Sequence, residues 1–263
     1  MKSKYDIICL NTVDSTNDEA KRRLSDIDKL SVLTALSQTQ GRGQHGNTWE
    51  SEPGKNLLCS IVMKYPMQAY DQFVISQLAS LSVVDLLASH GIDAKIKWPN
   101  DIYVDNKKIC GILVENAVKG KLISSSIIGI GLNINQRNFN VNLPNPTSMV
   151  LCSHETGNGV ESIDIKAILE EFMDIFIGYV ERFCHITGGY NRLNKLYLAQ
   201  MWRKDELSEF NDMTTSSAKR FKGVIRGISP VGHLQIEMPS GEIREFAFKE
   251  ISYLNIDSRV DNL

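Results

Sequence analysis

Between two stretches that read as β-strands, the chain runs Gly41-Arg42-Gly43-Gln44-His45-Gly46, a match to G-x-G-x-x-G, and the residues after it decide the fold class. A dinucleotide-binding loop of that spelling has to open a helix whose N-terminus receives the pyrophosphate. Here the next residues lead into Pro53-Gly54, which forbids a helix of useful length. The stretch from Leu58 to Val62 is apolar, so no acid closes a second strand where a ribose would need one. No Gly-Lys-Ser/Thr comes next to make a Walker loop, and no His-Arg-Asp segment comes later to make a kinase. Two readings remain. One is a glycine-rich surface turn. The other is a lid over an anionic nucleotide, with free backbone N–H groups, the Arg42 fork and the Trp49 ring as its working parts.

The rest of the chain alternates strands and helices. Tyr5–Leu10, Ser31–Leu36 and Leu57–Met63 read as strands, and Ser15 or Thr16 caps a helix ending near Ser25. Phe73–His90 reads as an amphipathic helix, because Gln77, Ser80, Ser82 and Asp85 interrupt its apolar run; it is too polar for a membrane span. Strands come next at Lys95–Trp98, Ile102–Val104, Lys108–Val114 and Leu122–Ile130. Asn135–Asn158, rich in Asn and Pro, reads as a flexible surface loop, and helices cover about Asp164–Phe183 and Tyr190–Arg203. After Lys204 short strands at Lys222–Ile228, His233–Glu237 and Glu242–Phe246 are separated by Pro/Gly turns, the signature of a small antiparallel barrel. The expectation is an α+β protein of two domains, 1–204 and 205–263.

Composition narrows the function classes. A net charge of −2 over 263 residues argues against a nucleic-acid or membrane-surface protein. Five cysteines form no CxxC pair, and most sit among apolar residues, which points to a reducing compartment and so to the cytoplasm. The start carries no apolar stretch of signal-peptide length.

A second constellation is Lys97-Trp98-Pro99-Asn100-Asp101, with Lys108 and Gly111 behind it. Asn100 and Asp101 suit Mg²⁺ or a ribose, or make a simple β-turn. Lys108, flanked by Ile109 and Cys110, is either an edge-strand lysine or a cation held for a ligand.

Taken together, Asp14-Ser15-Thr16-Asn17, Gln38 through Gly46 with Trp49, Lys97–Asp101 through Lys108 and Gly111–Glu115, and Gly129-Ile130-Gly131-Leu132-Asn133 resemble the biotin–protein ligase family. The resemblance implies a catalytic domain like that of class II aminoacyl-tRNA synthetases, then a small barrel like the Src-homology-3 domain. It implies a two-step reaction: biotin and ATP give biotinyl-5′-AMP and pyrophosphate, and a lysine of a biotin carboxyl carrier protein or domain then displaces AMP. It places Ser15, Thr16, Asn17, Gln38, Gly41, Arg42, Gly43, Gln44, Lys108, Gly111 and Gly129 around biotin, with the ring on apolar residues such as Leu132. It places Arg42, His45, Trp49, Lys97, Asn100, Asp101 and Asn133 on the ATP side, Asp101 facing Mg²⁺. Lys108 and Arg42 are the expected catalytic pair. Two departures stand out: Gln44 where the family often has a second arginine, and Leu254 where some members carry a basic residue.

The alternatives are a lipoate or octanoate ligase, a biotin-responsive repressor, and a non-catalytic biotin-binding module. The first ligase strand at Tyr5 leaves no room for a DNA-binding domain before it, and no nucleic-acid or membrane partner is expected; a homodimer stays open.

Overall fold

The computed structural model describes residues 4–155, 157, 159–184, 188–214 and 218–254, and of His45 the backbone alone. The elements are β1 (Asp6–Val13), α1 (Thr16–Arg22), β2 (Ser31–Gln38), β3 (Leu57–Met63), β4 (Met67–Gln68), α2 (Phe73–Ser89), β5 (Lys95–Lys97), β6 (Asp101–Val104), β7 (Lys107–Lys119), β8 (Leu122–Leu132), α3 (Met149–Glu155), α4 (Ile165–Phe183) and α5 (Gly189–Ala199), then β9 (Leu207–Asp212), β10 (Lys219–Ile228), β11 (Leu234–Glu237), β12 (Ile243–Phe246) and β13 (Ile251–Tyr253). The protein is α+β: an eight-stranded mixed sheet in the order β1-β2-β3-β8-β7-β6-β5, with β4 on β8, and a five-stranded antiparallel sheet in the order β12-β11-β10-β9-β13. In the first sheet β1 and β2 run parallel, joined through α1, and the other pairs are antiparallel.

Strand period 2 divides the first sheet into two faces. Val32, Ile61 and Ile128 belong to the large core, while their neighbours Leu33, Val62 and Ile127 pack with Ala20 of α1 in a smaller one. Helices α2, α4 and α5 therefore cover one face, and α1 covers part of the other. Across the second face β3, β8 and β7 bring Ser60 opposite Gly129 and Gly131 opposite Gly111. That glycine-lined strip beside α1 is where the cavity opens.

Helix α2 departs from the amphipathic reading. It is buried on nearly every side, because α4 and α5 cover the flank that a surface helix would show to water. Two of its polar residues are bonded inside, Gln77 donating to Asn194 Oδ1 at 2.8 Å and Ser82 to the Leu78 carbonyl at 2.7 Å, whereas Ser80 Oγ is buried without a partner among the described residues. The segment Ala69–Ser89 is long and apolar enough to cross a membrane by length and composition, and most of it lies inside the protein.

The Asn- and Pro-rich stretch also departs from its reading as a flexible surface loop. Lys108 N–H donates to the Asn145 carbonyl and Thr147 N–H to the Lys108 carbonyl, so residues 145–147 line up along β7. Thr147 and Ser148 are buried, and α3 begins directly after them with the buried Met149 and Val150. Two further strands, β9 and β13, carry no strong sequence pattern, yet they complete one side of the second sheet.

The two sheets are stitched together. Trp98 Nε1 donates to the Gly232 carbonyl at 2.9 Å, and its ring lies 6.1 Å from that of Phe248. Residues 200–202 run beside β5, with Trp202 N–H donating to the Ile96 carbonyl and Ile96 N–H to that of Gln200.

Candidate functional site

A cavity of about 470 Å³ opens on the α1 face. It gathers Ser15, Thr16, Asn17, Gln38, Arg42, Gly43, Gln44, Trp49, Lys97, Asn100, Asp101, Lys108, Gly111 and Gly129, residues scattered over more than a hundred positions of sequence. Its far wall comes from the second sheet, through Phe248 and Ile251–Tyr253.

One end is an uncharged hydrogen-bonding cluster. Ser15 stands at the N-cap of α1, but its side chain makes no capping bond. Instead Gln38, at the end of β2, reaches across: its Oε1 accepts from Thr16 N–H at 2.7 Å and from the Thr16 hydroxyl at 3.1 Å. Ser60 of β3 is fully buried below, with its Oγ 2.6 Å from Asn17 Oδ1 and 2.8 Å from Thr16 Oγ1. A hydroxyl carries one proton, so Ser60 donates to one of these and accepts from or approaches the other. Gly129 belongs here sterically, since a Cβ at that position would collide with Asn17 Oδ1. Ser60 is invisible in the sequence, where it reads as one polar position inside an apolar strand.

Three cations also line the cavity, Lys108 and Lys97 at the far end and Arg42 beside α1. Lys108 Nζ lies 2.8 Å from Asp101 Oδ1, both side chains 28% exposed, and 5.6 Å from the centre of the Trp49 ring. Lys108 is thus turned into the cavity and is not an edge lysine facing water. Arg42 pairs with Asp18 and, at 3.0 Å, with Glu115; Glu115 also accepts from Lys21 at 2.7 Å and Asn17 at 2.8 Å. Burial disfavours the charge on Arg42, but the Glu115 and Asp18 carboxylates outweigh it and push its pKa up. Burial likewise opposes charge on Glu115, while Lys21, Asn17 and Arg42 hold its carboxyl below the ordinary range. Neither carboxylate stands out in the sequence as a partner for Arg42. Lys97 lies among aromatic rings and donates to the Tyr103 hydroxyl at 3.0 Å.

The glycine loop folds back on itself. Trp49 N–H donates to the Gly41 carbonyl at 2.9 Å and Gly43 N–H to that of Asn47 at 2.7 Å, with a helical turn over Gln44–Gly46. Any side chain at Gly41 would strike the Trp49 carbonyl, so this position shapes the loop and does not line the cavity. The loop delivers the Trp49 indole onto the glycine strip, where a Cβ on Gly131 would lie 2.5 Å and one on Gly111 2.9 Å from the ring. Gln44 Oε1 is buried without a hydrogen-bond partner among the described residues. The His45 side chain lies outside the described residues.

Two expected ligand contacts sit elsewhere. Leu132 faces the large core, one residue out of phase with the glycine strip, so Gly129, Gly131 and Gly111 supply the floor in its place. Asn133 is buried away from the cavity: its Nδ2 donates to the Thr147 carbonyl at 2.9 Å and its carbonyl accepts from Met149, which anchors the chain ahead of α3. Asn100 lines the cavity, but its amide donates to the Ile112 carbonyl and fixes the β6–β7 pairing.

Among the described residues no group of three or more His, Cys, Asp or Glu is placed to hold a metal ion, and Asp101 is the one carboxylate lining the cavity. With Lys108 against it, Asp101 does not form a resident metal site by itself. One carboxylate facing substrate phosphates is nevertheless a common way to receive Mg²⁺.

A floor without side chains, a hydrogen-bonding cluster at one end and three cations along the cavity define a site for a flat polar ring joined to an anion. The profile of the biotin/lipoate A/B protein ligase family matches residues 9–133. Over that segment the chain is similar to that family. It is 30% identical over 215 residues to the bifunctional ligase/repressor BirA of Bacillus spizizenii, a match covering 80% of this chain and 62% of that protein's length. It is 29% identical to the biotin–[acetyl-CoA-carboxylase] ligase of Paracoccus denitrificans, covering 88% of this chain and 94% of that one. Its fold superposes on the biotin protein ligase of Aquifex aeolicus in complex with biotin and ATP with a TM-score of 0.74, at 24% identity, over 94% of this chain and 97% of the other.

Proposed function

We propose that this chain joins biotin to a lysine of a biotin carboxyl carrier protein or domain, at the expense of ATP. In the first step a biotin carboxylate oxygen bonds to the α-phosphorus and the bond to pyrophosphate breaks. In the second the carrier lysine, as a free amine, attacks the activated carbonyl; AMP leaves and the amine loses a proton. The observation that carries this reading is the single cavity that joins an uncharged amide and hydroxyl cluster, over a glycine floor, to Lys108, Lys97 and Arg42.

A ureido group is neutral and needs paired donors and acceptors, which Thr16, Asn17 and Gln38 supply, with Ser15 beside them. A carboxylate meeting a polyphosphate needs positive charge, because two anions must approach within bonding distance. In this reading Lys108 exchanges Asp101 for the biotin carboxylate, and Arg42 with the Gly43 loop and Gln44 takes the phosphate that becomes the adenylate. Lys97, Asn100 and Asp101 face the nucleotide, and Trp49 covers it. Asp101 is the residue that would face Mg²⁺ carried by the nucleotide, which would offset phosphate charge. No covalent enzyme nucleophile takes part. The division of labour between residues 1–204 and 205–263, a cytoplasmic setting and the absence of nucleic-acid or membrane partners belong to the same proposal; five free cysteines fit a reducing compartment.

The decisive experiment incubates the protein with biotin, MgATP and a biotin carboxyl carrier domain and tracks the acceptor by intact mass. One added biotin per acceptor, dependent on ATP, is the expected result. An unchanged acceptor, or the same gain with lipoate in place of biotin, overturns the assignment.

A further inference from the structure

Arg42 shares its two carboxylates with a second cation. Its guanidinium pairs with Asp18 and lies 3.0 Å from Glu115 Oε1. Lys21, one turn beyond Asp18 on α1, approaches the same two groups: its Nζ lies 2.7 Å from Glu115 Oε1 and 3.6 Å from Asp18 Oδ1. Two anions and two cations thus make one cluster in which each cation meets both anions. Glu115 Oε1 accepts from Lys21 and from Arg42, while Oε2 accepts from Asn17 Nδ2 at 2.8 Å.

The members differ in what an incoming ligand can reach. Arg42 lines the cavity, and Lys21, Asp18 and Glu115 lie outside its lining. Arg42 is carried by the glycine loop. Lys21 and Asp18 are carried by α1, where Ala20 between them is fully buried, and Glu115 is carried by β7. An anion in the cavity can therefore draw on Arg42 and on no other member of the cluster. When the guanidinium turns away, two carboxylates stay behind, and their side chains are only 32% and 23% exposed, so water compensates them incompletely. Leaving such anions without a cation opposes the move. Lys21 is the cation that stays within ionic reach of both.

We infer that Lys21 is a positioning residue for Arg42: it keeps hold of Glu115 and Asp18 while the guanidinium turns to a nucleotide phosphate, and so sets how readily Arg42 is released. This rests on the ligase reading of the cavity and deepens it, because it gives nucleotide binding a determinant that lies outside the cavity and touches no substrate.

The test compares Lys21→Met, which removes the ammonium and keeps a stem, with Lys21→Arg, which keeps a cation. Lys21→Met is also made in a Glu115→Gln background. KM and kcat for MgATP in biotinyl-AMP formation, and calorimetric binding of biotin without ATP, are measured for each protein. Lys21→Met should raise KM for MgATP about three- to fivefold, the strength of a partly exposed ion pair. Its kcat should stay within about twofold of wild type, because the cost falls on binding alike in ground and transition states. Biotin affinity should also stay within about twofold, since the Asn17–Glu115 bond is untouched. Lys21→Arg should keep KM within about twofold of wild type. Glu115→Gln, whose amide oxygen can still accept from Asn17, should lower KM for MgATP about two- to fivefold by loosening the hold on Arg42. In that background Lys21→Met should change KM by less than about twofold, because the carboxylate that Lys21 retains is gone. An unaltered KM in Lys21→Met, an equal loss in the Glu115→Gln background, or a raised KM in Glu115→Gln alone overturns the proposal. So does a Lys21→Met protein whose biotin affinity falls as far as its ATP affinity, since that marks a defect of α1. Wild-type protein that makes no biotinyl-AMP breaks the ligase reading and this inference with it, whereas active wild type with an unaltered Lys21→Met breaks this inference alone.

Discussion

The two ends of the cavity are built on opposite principles. At the α1 end, Thr16, Gln38 and Ser60 are joined by short neutral hydrogen bonds, Asn17 also donates to the Glu115 carboxylate, and a glycine gives them room. Each cation of the cavity is held by something a ligand can replace or supplement: Lys108 by Asp101 and Lys97 among rings at the far end, and Arg42, beside α1, by Asp18 and Glu115. Neutral groups lose little by being locked in place before the ligand comes. Like charges crowded into one cavity repel, so the cations need internal counter-groups until anions arrive. The neutral end is therefore set for shape, and the cationic end is set for exchange.

The most severe way to test this contrast is to remove the cation meant for the carboxylate. Lys108→Ala should lower acceptor biotinylation roughly 10²- to 10³-fold, read by intact mass over time; full activity would refute the exchange of Asp101 for substrate. At the neutral end, Ser60→Ala leaves buried acceptors with no hydroxyl donor and should cost about 1–3 kcal/mol in thermal or urea unfolding, with weaker biotin binding in proportion. If the stability falls but biotin affinity does not, the cluster is scaffold alone. Gly129→Ala should act in the same direction by pushing Asn17 aside, at about 1–3 kcal/mol.

A smaller effect is expected where the cationic end lacks a member. Gln44 leaves a buried acceptor without a partner among the described residues, at a position where the family often has arginine. Gln44→Arg should slow release of biotinyl-AMP several-fold, about the strength of one added charged hydrogen bond in a partly exposed site; equal release rates would show that Gln44 does not limit retention. The smallest effect concerns the second sheet. Asp212 accepts from the Thr214 hydroxyl at 2.5 Å and from Thr214 N–H, with Arg244 at 2.8 Å, and these bonds lower its carboxyl from 3.8 to about 2. A carboxyl whose folded value is depressed stabilises fully above its unfolded value and loses that contribution as pH falls through the folded one. Stability should thus decline between about pH 4 and pH 2, and Asp212→Asn should flatten that stretch of a melting-temperature profile.

How much of this was legible in the sequence depends on the range of the interactions. Strands β2, β3 and β8 and helices α2 and α4 carried strong local patterns and stand where the sequence puts them, although α2 proved buried all round because its cover comes from α4 and α5, far along the chain. The motif residues that converge, Thr16, Gln38, Lys97, Asp101 and Lys108, were legible as residue types. Their partners were not: Ser60 hides in an apolar strand, Asp18 and Glu115 look like surface charge, and Tyr253 ends a three-residue strand. Leu132 falls one residue out of phase with Gly129 and Gly131, since period 2 sends neighbours to opposite faces and only the glycines fix which face holds the cavity, and Asn133, past the end of β8, is drawn to Thr147 and Met149 by contacts distant in sequence.

The indole on the glycine strip has an optical consequence. The chain has three tryptophans. Trp98 and Trp202 are pinned by N–H bonds to the Gly232 and Asp105 carbonyls, whereas the Trp49 Nε1 is buried without an acceptor among the described residues. A ring-shaped ligand contests the floor that Trp49 covers, so filling the cavity changes the polarity around one emitter out of three. Intrinsic fluorescence thereby becomes a built-in gauge of occupancy, one that Trp49→Phe should silence while the emission of the two pinned indoles persists.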